Sequence, residues 1–199
     1  SKWIYSDNLE PLEDKLKSFG AKVYDLRIPE LGTEQLDEIY SLWLKYALLI
    51  FPEQNLNNDQ QIKFAKNFGA LEFDLSPISN VRGDGSIRDA NDDDIVKSLR
   101  GNMEWHHDST YMPIQAKGAV FTAHKVPKKG GETGWADMRA AYEGLSESMK
   151  EKIQDLSDEI LESSLYIYPL NNIKKSDSWG VQRSIWSQAY APKLDITLF

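Results

Sequence analysis

The stretch GNMEWHHDSTY, residues 101–111, contains two of the chain's three histidines and places a carboxylate directly after them. Alternate side chains of an extended segment point to the same side, so His106 and Asp108 face one way and His107 faces the other. One imidazole and one carboxylate on the same side can bind a single metal ion. With a second histidine they would form the facial triad typical of iron(II) oxygenases, and zinc is the competing metal. His106 and Asp108 are therefore the candidate metal ligands.

Composition narrows the other kinds of site that the chain can contain. There is no cysteine among its 199 residues, which excludes disulfides, thiolate zinc sites and cysteine nucleophiles. The formal net charge of −8 argues against a nucleic-acid partner. The longest apolar run, residues 47–51, is too short to span a bilayer, and the first residues lack the apolar core of a signal peptide. We therefore expect a cytoplasmic protein with no membrane partner, and a single domain over residues 1–199.

Strand patterns occur on both sides of the histidine stretch. Residues 21–25 follow a turn at Gly20 and read as a short strand, and the apolar run 47–51 favours a buried strand because it is too short for a helix. Residues 119–126 alternate between two faces, as a strand does. By contrast, residues 74–100 are polar and contain Pro77, Gly83, Gly85 and a run of aspartates, which predicts a long functional or mobile loop. The aspartate run within it, residues 92–94, is expected to be a solvated surface.

Capping residues mark where helices begin. Thr33 can cap a first helix, and Asn57 or Asn58 can cap a second, with a glutamine three residues later completing a capping box. Asp137 and Ser146 are expected to cap two further helices. Helices at the front, followed by strands, turns and a helical insert, predict an α+β fold on an antiparallel β core.

The wider pattern resembles one enzyme family. The motif WHHD at residues 105–108, the strand 119–126 and the segment PKKGGETGWADMRAAYEGL at residues 127–145 look like those of taurine and 2,4-dichlorophenoxyacetate dioxygenases (TauD/TfdA-like). Residues 47–54 and 64–69 are similar as well, and the resemblance spans about residues 20 to 157. Members of this family are iron(II)- and 2-oxoglutarate-dependent oxygenases whose fold is a double-stranded β-helix, or jelly roll, with flanking helices.

The resemblance implies a role for each matching residue. His106 and Asp108 match the first two iron ligands, and Thr133 matches the threonine that hydrogen-bonds the distal carboxylate of 2-oxoglutarate. Thr133 also reads as a turn residue that packs the strand, and it can serve both purposes. Asn102 lies where some members contact substrate, and Tyr111 lies on the pocket wall.

The implied reaction is the hydroxylation of a small organic acid, such as a sulfonate, a sulfate ester or an aryloxy acid. Dioxygen and 2-oxoglutarate are consumed, and succinate and carbon dioxide are released. The implied partners are therefore the small-molecule substrate and dioxygen, while the oligomeric state, a homo-oligomer included, is not readable from the sequence.

The family pattern also requires a distal histidine followed by an arginine that clamps the carboxylate of 2-oxoglutarate. No histidine follows His124, and Arg183 is the only arginine after Arg139. We therefore expect the C-terminal part of the jelly roll, with the distal histidine and arginine, to be missing or not shown. Two other hypotheses are a non-catalytic relative that acts as a binding or scaffold protein, and a zinc hydrolase that uses His124 as its third ligand. His124 otherwise reads as a core or pocket-edge histidine.

Overall fold

The computed structural model of the chain describes residues 8–12, 18–101, 108, 116–126, 128 and 133–154, together with the backbone of four further strands. The chain divides into two compact units. The first contains residues 1–97, 119–131 and 192–199, and the second contains residues 98–118 and 132–191. None of the helices in the described ranges has the length and hydropathy that a membrane-spanning helix needs.

The first unit combines short strands with two longer helices. Its elements are β1 (Leu9–Pro11), β2 (Ala21–Val23), a 3₁₀ turn (Ile28–Glu30), α1 (Thr33–Tyr46), β3 (Leu49–Ile50), α2 (Asn58–Lys66), β4 (Ser76–Ser79), the start of α3 (Asp94–Gly101), β5 (Thr122–Lys125) and β10 (Asp195–Leu198). Strand β2 pairs antiparallel with β1 and parallel with β3. Strand β10 pairs antiparallel with both β4 and β5.

The second unit contains the rest of the elements. They are the end of α3, β6 (Thr133–Asp137), α4 (Met138–Glu143), α5 (Glu147–Ile153), β7 (Ser157–Glu159), β8 (Ile167–Pro169) and β9 (Ile185–Ala189). Strands β6 and β9 form one antiparallel pair, and β7 and β8 form another. The predicted mixture of helices and strands is confirmed.

The core of the first unit lies between helices α1 and α2 and strand β2. Its buried residues are Val23, Leu26, Ile28, Ile39, Leu56 and Phe64. Phe64 and Phe68 of the α2 region meet edge to face, with ring centroids 5.1 Å apart. Burial of one such large apolar side chain contributes about 1.5–3 kcal/mol, so this cluster is the main source of stability for the unit.

A buried glutamine ties helix α2 to the segment that enters β5. Gln61 is fully buried, and its Nε2 donates a hydrogen bond of 3.0 Å to the carbonyl of Val120. Val120 itself packs against the apolar core. A buried amide needs such a partner, so this bond fixes how α2 lies against the start of β5.

The predicted caps are correct for three helices and wrong for one. Asn57 accepts from Gln60 N–H at 2.9 Å, while Gln60 Oε1 accepts from Asn57 N–H at 3.0 Å, which is the predicted capping box. Asp137 and Ser146 also cap their helices through side-chain oxygens. The first helix, however, is capped at Gly32, whose N–H donates to Gln35 Oε1 at 2.7 Å. Thr33 is therefore already the first helical residue.

The strand predicted over residues 47–51 is shorter and less buried than expected. Ala47 is the C-terminal cap of α1, with a left-handed φ of +61°. Only Leu49–Ile50 form strand β3, and Ile50 is 38% exposed. The prediction failed because the helix termination uses the first apolar residues of the run.

The predicted long loop over residues 74–100 is wrong for about half of its length. It contains strand β4, a bridge between Val81 and Ile87, and helix α3. Asp84 and Asp89 accept hydrogen bonds from backbone N–H groups two or three residues later, as polar residues do when they stabilise turns. The polar composition therefore reflects ordered local structure here, and no residue of 74–100 lies outside the described ranges.

Gly20 provides a test of the first unit. Its φ is +76°, and a Cβ at this position would lie 2.6 Å from Leu12 Cδ1. We expect Gly20→Ala to lower the free energy of unfolding by about 1–3 kcal/mol, because it adds a side chain in a left-handed conformation and in a filled space. Urea unfolding followed by circular dichroism measures this change.

Gly83→Ala is the matched control. Gly83 does not have a positive φ, and no atom lies within 4 Å of the position its Cβ would take. Its unfolding curve should therefore coincide with that of the native protein. Equal losses in the two variants would contradict the conformational explanation.

Candidate active site

The structure locates one of the two predicted iron ligands. Asp108 is described, and its side chain is exposed. His106, Asn102 and Tyr111 lie outside the described residues, so their predicted roles stay predictions.

Strand β6 positions Thr133, the candidate 2-oxoglutarate residue. Thr133 is the first residue of this strand, pairs with Ala189 of β9 and is half-buried. The strand ends at Asp137, whose Oδ1 accepts hydrogen bonds from Arg139 and Ala140 N–H at 3.1 and 3.2 Å. Pairing with β9 along the whole strand and the helix cap at its last residue fix the backbone of β6. The role of Thr133 in binding 2-oxoglutarate stays a prediction.

The donor set agrees with iron in its chemistry. The exposed Asp108 carboxylate offers oxygen, and a neighbouring imidazole would offer nitrogen, a combination that suits iron(II) when open positions remain for small ligands. Within the described ranges, no group of three or more histidine, aspartate or glutamate side chains is arranged to hold a metal. Any complete site therefore includes residues outside those ranges, as the assignment of His106 requires.

His124 lies on strand β5 and is exposed. It lines an open depression together with residues 55–59, at the beginning of helix α2. The exposure of His124 contradicts the expectation of a core histidine, and the pocket-edge expectation stays a prediction. The zinc-hydrolase hypothesis needs His106 as well, so it stays a prediction.

An ion cluster just before helix α3 was missed by the sequence reasoning. Asp93 Oδ2 accepts from Arg82 Nη2 at 2.8 Å and from Arg88 Nη1 at 3.3 Å. The Asp93 side chain is only 12% exposed, whereas those of Asp92 and Asp94 are 96% and 97% exposed. The solvated-surface prediction is thus correct for the two outer aspartates and wrong for the central one. No sequence signal separates three consecutive aspartates, because only the fold decides which one faces the arginines.

The pKa of Asp93 shows which interaction prevails in this cluster. Burial acts to raise the pKa of its carboxyl group, but the hydrogen bond from Ile95 N–H and the guanidinium of Arg88 outweigh burial, so the pKa lies below its usual value. A lowered pKa means that the charged carboxylate stabilises the fold at neutral pH. That stabilisation is lost only as the pH falls through the lowered pKa.

With this geometry established, similarity to known proteins identifies the family. Residues 8–163 match the profile of the family described as taurine catabolism dioxygenase TauD, TfdA family. The chain belongs to this family. The predicted resemblance is therefore confirmed over most of the chain.

Two relatives within this family share about half of their aligned residues with the chain. It is 53% identical over 140 residues to an (S)-phenoxypropionate/alpha-ketoglutarate-dioxygenase of Sphingobium herbicidovorans, covering 70% of this chain and 49% of that protein. It is 48% identical over 147 residues to an enzyme of the same name from Delftia acidovorans, covering 70% and 50%. The chain thus spans about half the length of the curated relatives it matches.

Solved structures agree on the fold. The crystal structure of AAD-2 in complex with Mn(II) and N-oxalylglycine has a TM-score of 0.71 at 24% identity, covering 96% of this chain and 87% of that one. A taurine dioxygenase from Burkholderia xenovorans has a TM-score of 0.67 at 14% identity, covering 96% and 88%. The TauD-type dioxygenase fold is therefore shown.

Metal binding tests the assignment of the two ligands. We expect His106→Ala and Asp108→Ala each to weaken Mn(II) binding by on the order of 100-fold or more, because loss of a ligand exceeds the effect of losing an outer partner. Titration calorimetry under anaerobic conditions measures the dissociation constant.

His107→Ala is the control, because the alternation of side chains in an extended segment predicts that His107 faces away from His106 and Asp108. Its affinity should equal that of the native protein. If His107→Ala weakened binding as much as His106→Ala does, the alternation argument would be wrong.

Proposed function

We propose that the protein is an iron(II)- and 2-oxoglutarate-dependent dioxygenase that hydroxylates a phenoxyalkanoic acid, with release of succinate and carbon dioxide. The observation that carries this proposal is the 53% identity over 140 residues with an (S)-phenoxypropionate/alpha-ketoglutarate-dioxygenase. A 2,4-dichlorophenoxyacetate dioxygenase of Cupriavidus pinatubonensis, 34% identical over 172 residues, supports the same substrate class. An alkylsulfatase of Acinetobacter baylyi is more distant, at 28% identity over 145 residues.

In this proposal each candidate residue has a separate role. His106 and Asp108 hold iron(II), and the hydroxyl of Thr133 donates a hydrogen bond to the distal carboxylate of 2-oxoglutarate. Asn102 contacts the substrate, and Tyr111 forms part of the wall that excludes water from it. When bound, iron and 2-oxoglutarate supply the oxidising chemistry, while the protein supplies orientation and a shielded pocket. The distal histidine ligand and the carboxylate-clamping arginine of the family are unassigned in this chain.

The fold proposed for this function is a double-stranded β-helix with flanking helices. Two features support it, namely the antiparallel set β4-β10-β5 and the antiparallel pair β6-β9. A jelly roll is built from antiparallel strands of this kind. A single domain whose distal histidine and arginine region is not shown, and a location in the cytoplasm, stay predictions.

Turnover of a substrate panel tests the proposed function. We expect oxygen- and iron(II)-dependent succinate formation with (S)-2-phenoxypropionate, and a lower kcat/KM with an alkyl sulfate and with taurine. Hydroxylation at the carbon that bears the aryloxy group gives a hemiketal that collapses to phenol and pyruvate. Phenol release, measured beside succinate, therefore reports the position of attack.

Two results would contradict the proposal in different ways. A higher kcat/KM for the alkyl sulfate or for taurine than for (S)-2-phenoxypropionate would show that the preferred substrate belongs to another class of acid. Absence of succinate with every substrate and with iron present would favour the non-catalytic hypothesis.

Thr133 tests the co-substrate site. We expect Thr133→Ala to raise the KM for 2-oxoglutarate by about 10-fold or more, because a hydrogen bond to a charged group contributes roughly 1.5–3 kcal/mol. Steady-state kinetics at saturating substrate measure this KM.

Thr133→Ser keeps the hydroxyl and should largely restore the native KM. An equal rise in the alanine and serine variants would assign Thr133 to strand packing, because both variants lack the threonine methyl group.

A further inference from the structure

The hairpin of residues 80–88 contains the only Asp-Gly pair in the chain, Asp84–Gly85, and the chain has no Asn-Gly pair. A peptide nitrogen can attack the side chain of a preceding aspartate to close a five-membered ring. Glycine leaves its own nitrogen the least hindered and its backbone the most adaptable, because it has no side chain. Asp84–Gly85 is therefore the pair in this sequence with the strongest chemical tendency to rearrange.

The structure exposes this pair at the tip of the hairpin. Asp84, Gly85 and Ser86 are all exposed. Gly85 has a φ of +83°, and no atom lies within 4 Å of the position that a Cβ on it would take. Closure of a ring between Asp84 and Gly85 therefore displaces no packed side chain.

The carboxylate of Asp84 is turned back over the backbone that follows it. Its Oδ1 accepts a hydrogen bond from Ser86 N–H at 2.9 Å and another from Ser86 Oγ at 2.7 Å. An aspartate that bonds to the backbone two residues later forms a turn through its own side chain. The side chain thus lies over the peptide of Gly85, whose nitrogen is the attacking atom.

The same hairpin withholds the two conditions that the attack requires. The nitrogen of Gly85 must lose its proton, but its N–H donates to the carbonyl of Arg82 at 2.9 Å. The carboxyl group must be neutral, because a carboxylate has no hydroxyl group to lose. The hydroxyl of Ser86, followed by its N–H, lowers the pKa of the Asp84 carboxyl group and so favours the charged form.

We propose that Asp84–Gly85 is a site of isoaspartate formation, and that the bonds made by Ser86 and Arg82 restrain the reaction in the folded protein. The nitrogen of Gly85 loses its proton and bonds to Asp84 Cγ, the Cγ–OH bond breaks, and water leaves a succinimide ring. Addition of water then opens the ring at one of its two carbonyl groups. Opening at Cγ restores aspartate, whereas opening at the α-carbonyl leaves the main chain running through Cγ.

Peptide mapping after incubation at neutral pH measures isoaspartate at Asp84. The native protein is compared in its folded form and unfolded in urea. We expect the folded form to react about 10-fold more slowly or less, because each hydrogen bond that must be given up changes an equilibrium by about 2- to 10-fold. The inference is independent of the proposed function, since no metal or substrate takes part.

Ser86→Ala isolates the restraint on the carboxylate. It removes the hydroxyl that donates to Asp84 Oδ1 and retains the backbone N–H, so we expect isoaspartate at Asp84 to form about threefold faster or more. Ser41→Ala is the matched control, because Ser41 Oγ donates to the carbonyl of Asp37 within helix α1. Its rate at Asp84 should equal that of the native protein, and circular dichroism verifies that both variants are folded.

The site and the restraint fail by different results. Absence of isoaspartate at Asp84 in the unfolded protein would overturn the site itself. Equal rates in the folded and unfolded protein would overturn the restraint. An unchanged rate in Ser86→Ala, or an equal rise in Ser41→Ala, would show that the Ser86 hydroxyl does not restrain the reaction.

Discussion

The apolar face of helix α2 is the constraint on which the first unit depends. Phe64 and Ala65 on this face are buried, and the same helix carries Gln61, the one fully buried polar side chain among the described residues. Apolar burial decides which face of the helix points inward but defines its position only loosely, because packing forces are not directional. The hydrogen bond from Gln61 to the carbonyl of Val120 is directional, so it fixes the helix against the segment that enters β5.

A second polar side chain, that of Gln54, holds two loops together through directional hydrogen bonds. Gln54 Nε2 donates to the carbonyls of Leu26 and Pro52 at 3.0 and 2.9 Å, and its Oε1 accepts from Ile28 N–H at 2.9 Å. Gln54 lies within residues 47–54, one of the segments in which the sequence resembles the family. The loop backbone at these positions has no neighbouring strand to bond its N–H and C=O groups. The side-chain amide of Gln54 forms hydrogen bonds with three of these groups instead.

How much could be predicted from the sequence depended on the range of the interaction involved. Asn57, Asp137 and Ser146 were identified as caps because a cap bonds to backbone groups two or three residues away, a distance that the sequence itself displays. Gly32 was not predicted as the cap because glycine has no side chain that can accept a hydrogen bond from the helix, so the sequence carries no capping signal at that position. Among the candidate site residues, His106 and Asp108 were paired by the alternation of neighbouring side chains, which is as local as a helix cap. Thr133 was predicted from the resemblance to the family.

Interactions between distant segments were not readable in this way. Asp93 differs from Asp92 only in facing Arg82 and Arg88, which lie 11 and 5 residues earlier, and a run of aspartates has the same composition whether it is solvated or paired. The error over residues 74–100 has the same origin. Glycine and aspartate mark a loop when they are solvated, and they mark an ordered hairpin when their side chains satisfy its backbone.

A site carried by short elements needs this kind of support. Helix α3 has eight residues and strand β6, which begins with Thr133, has five, so neither element is long enough to be stable by itself. An aspartate caps a helix beside each element: Asp93 precedes α3, and Asp137, the last residue of β6, caps α4. The two aspartates differ in one respect, because the carboxylate of Asp93 also neutralises two arginines. Loss of its charge therefore removes an ion pair as well as a cap.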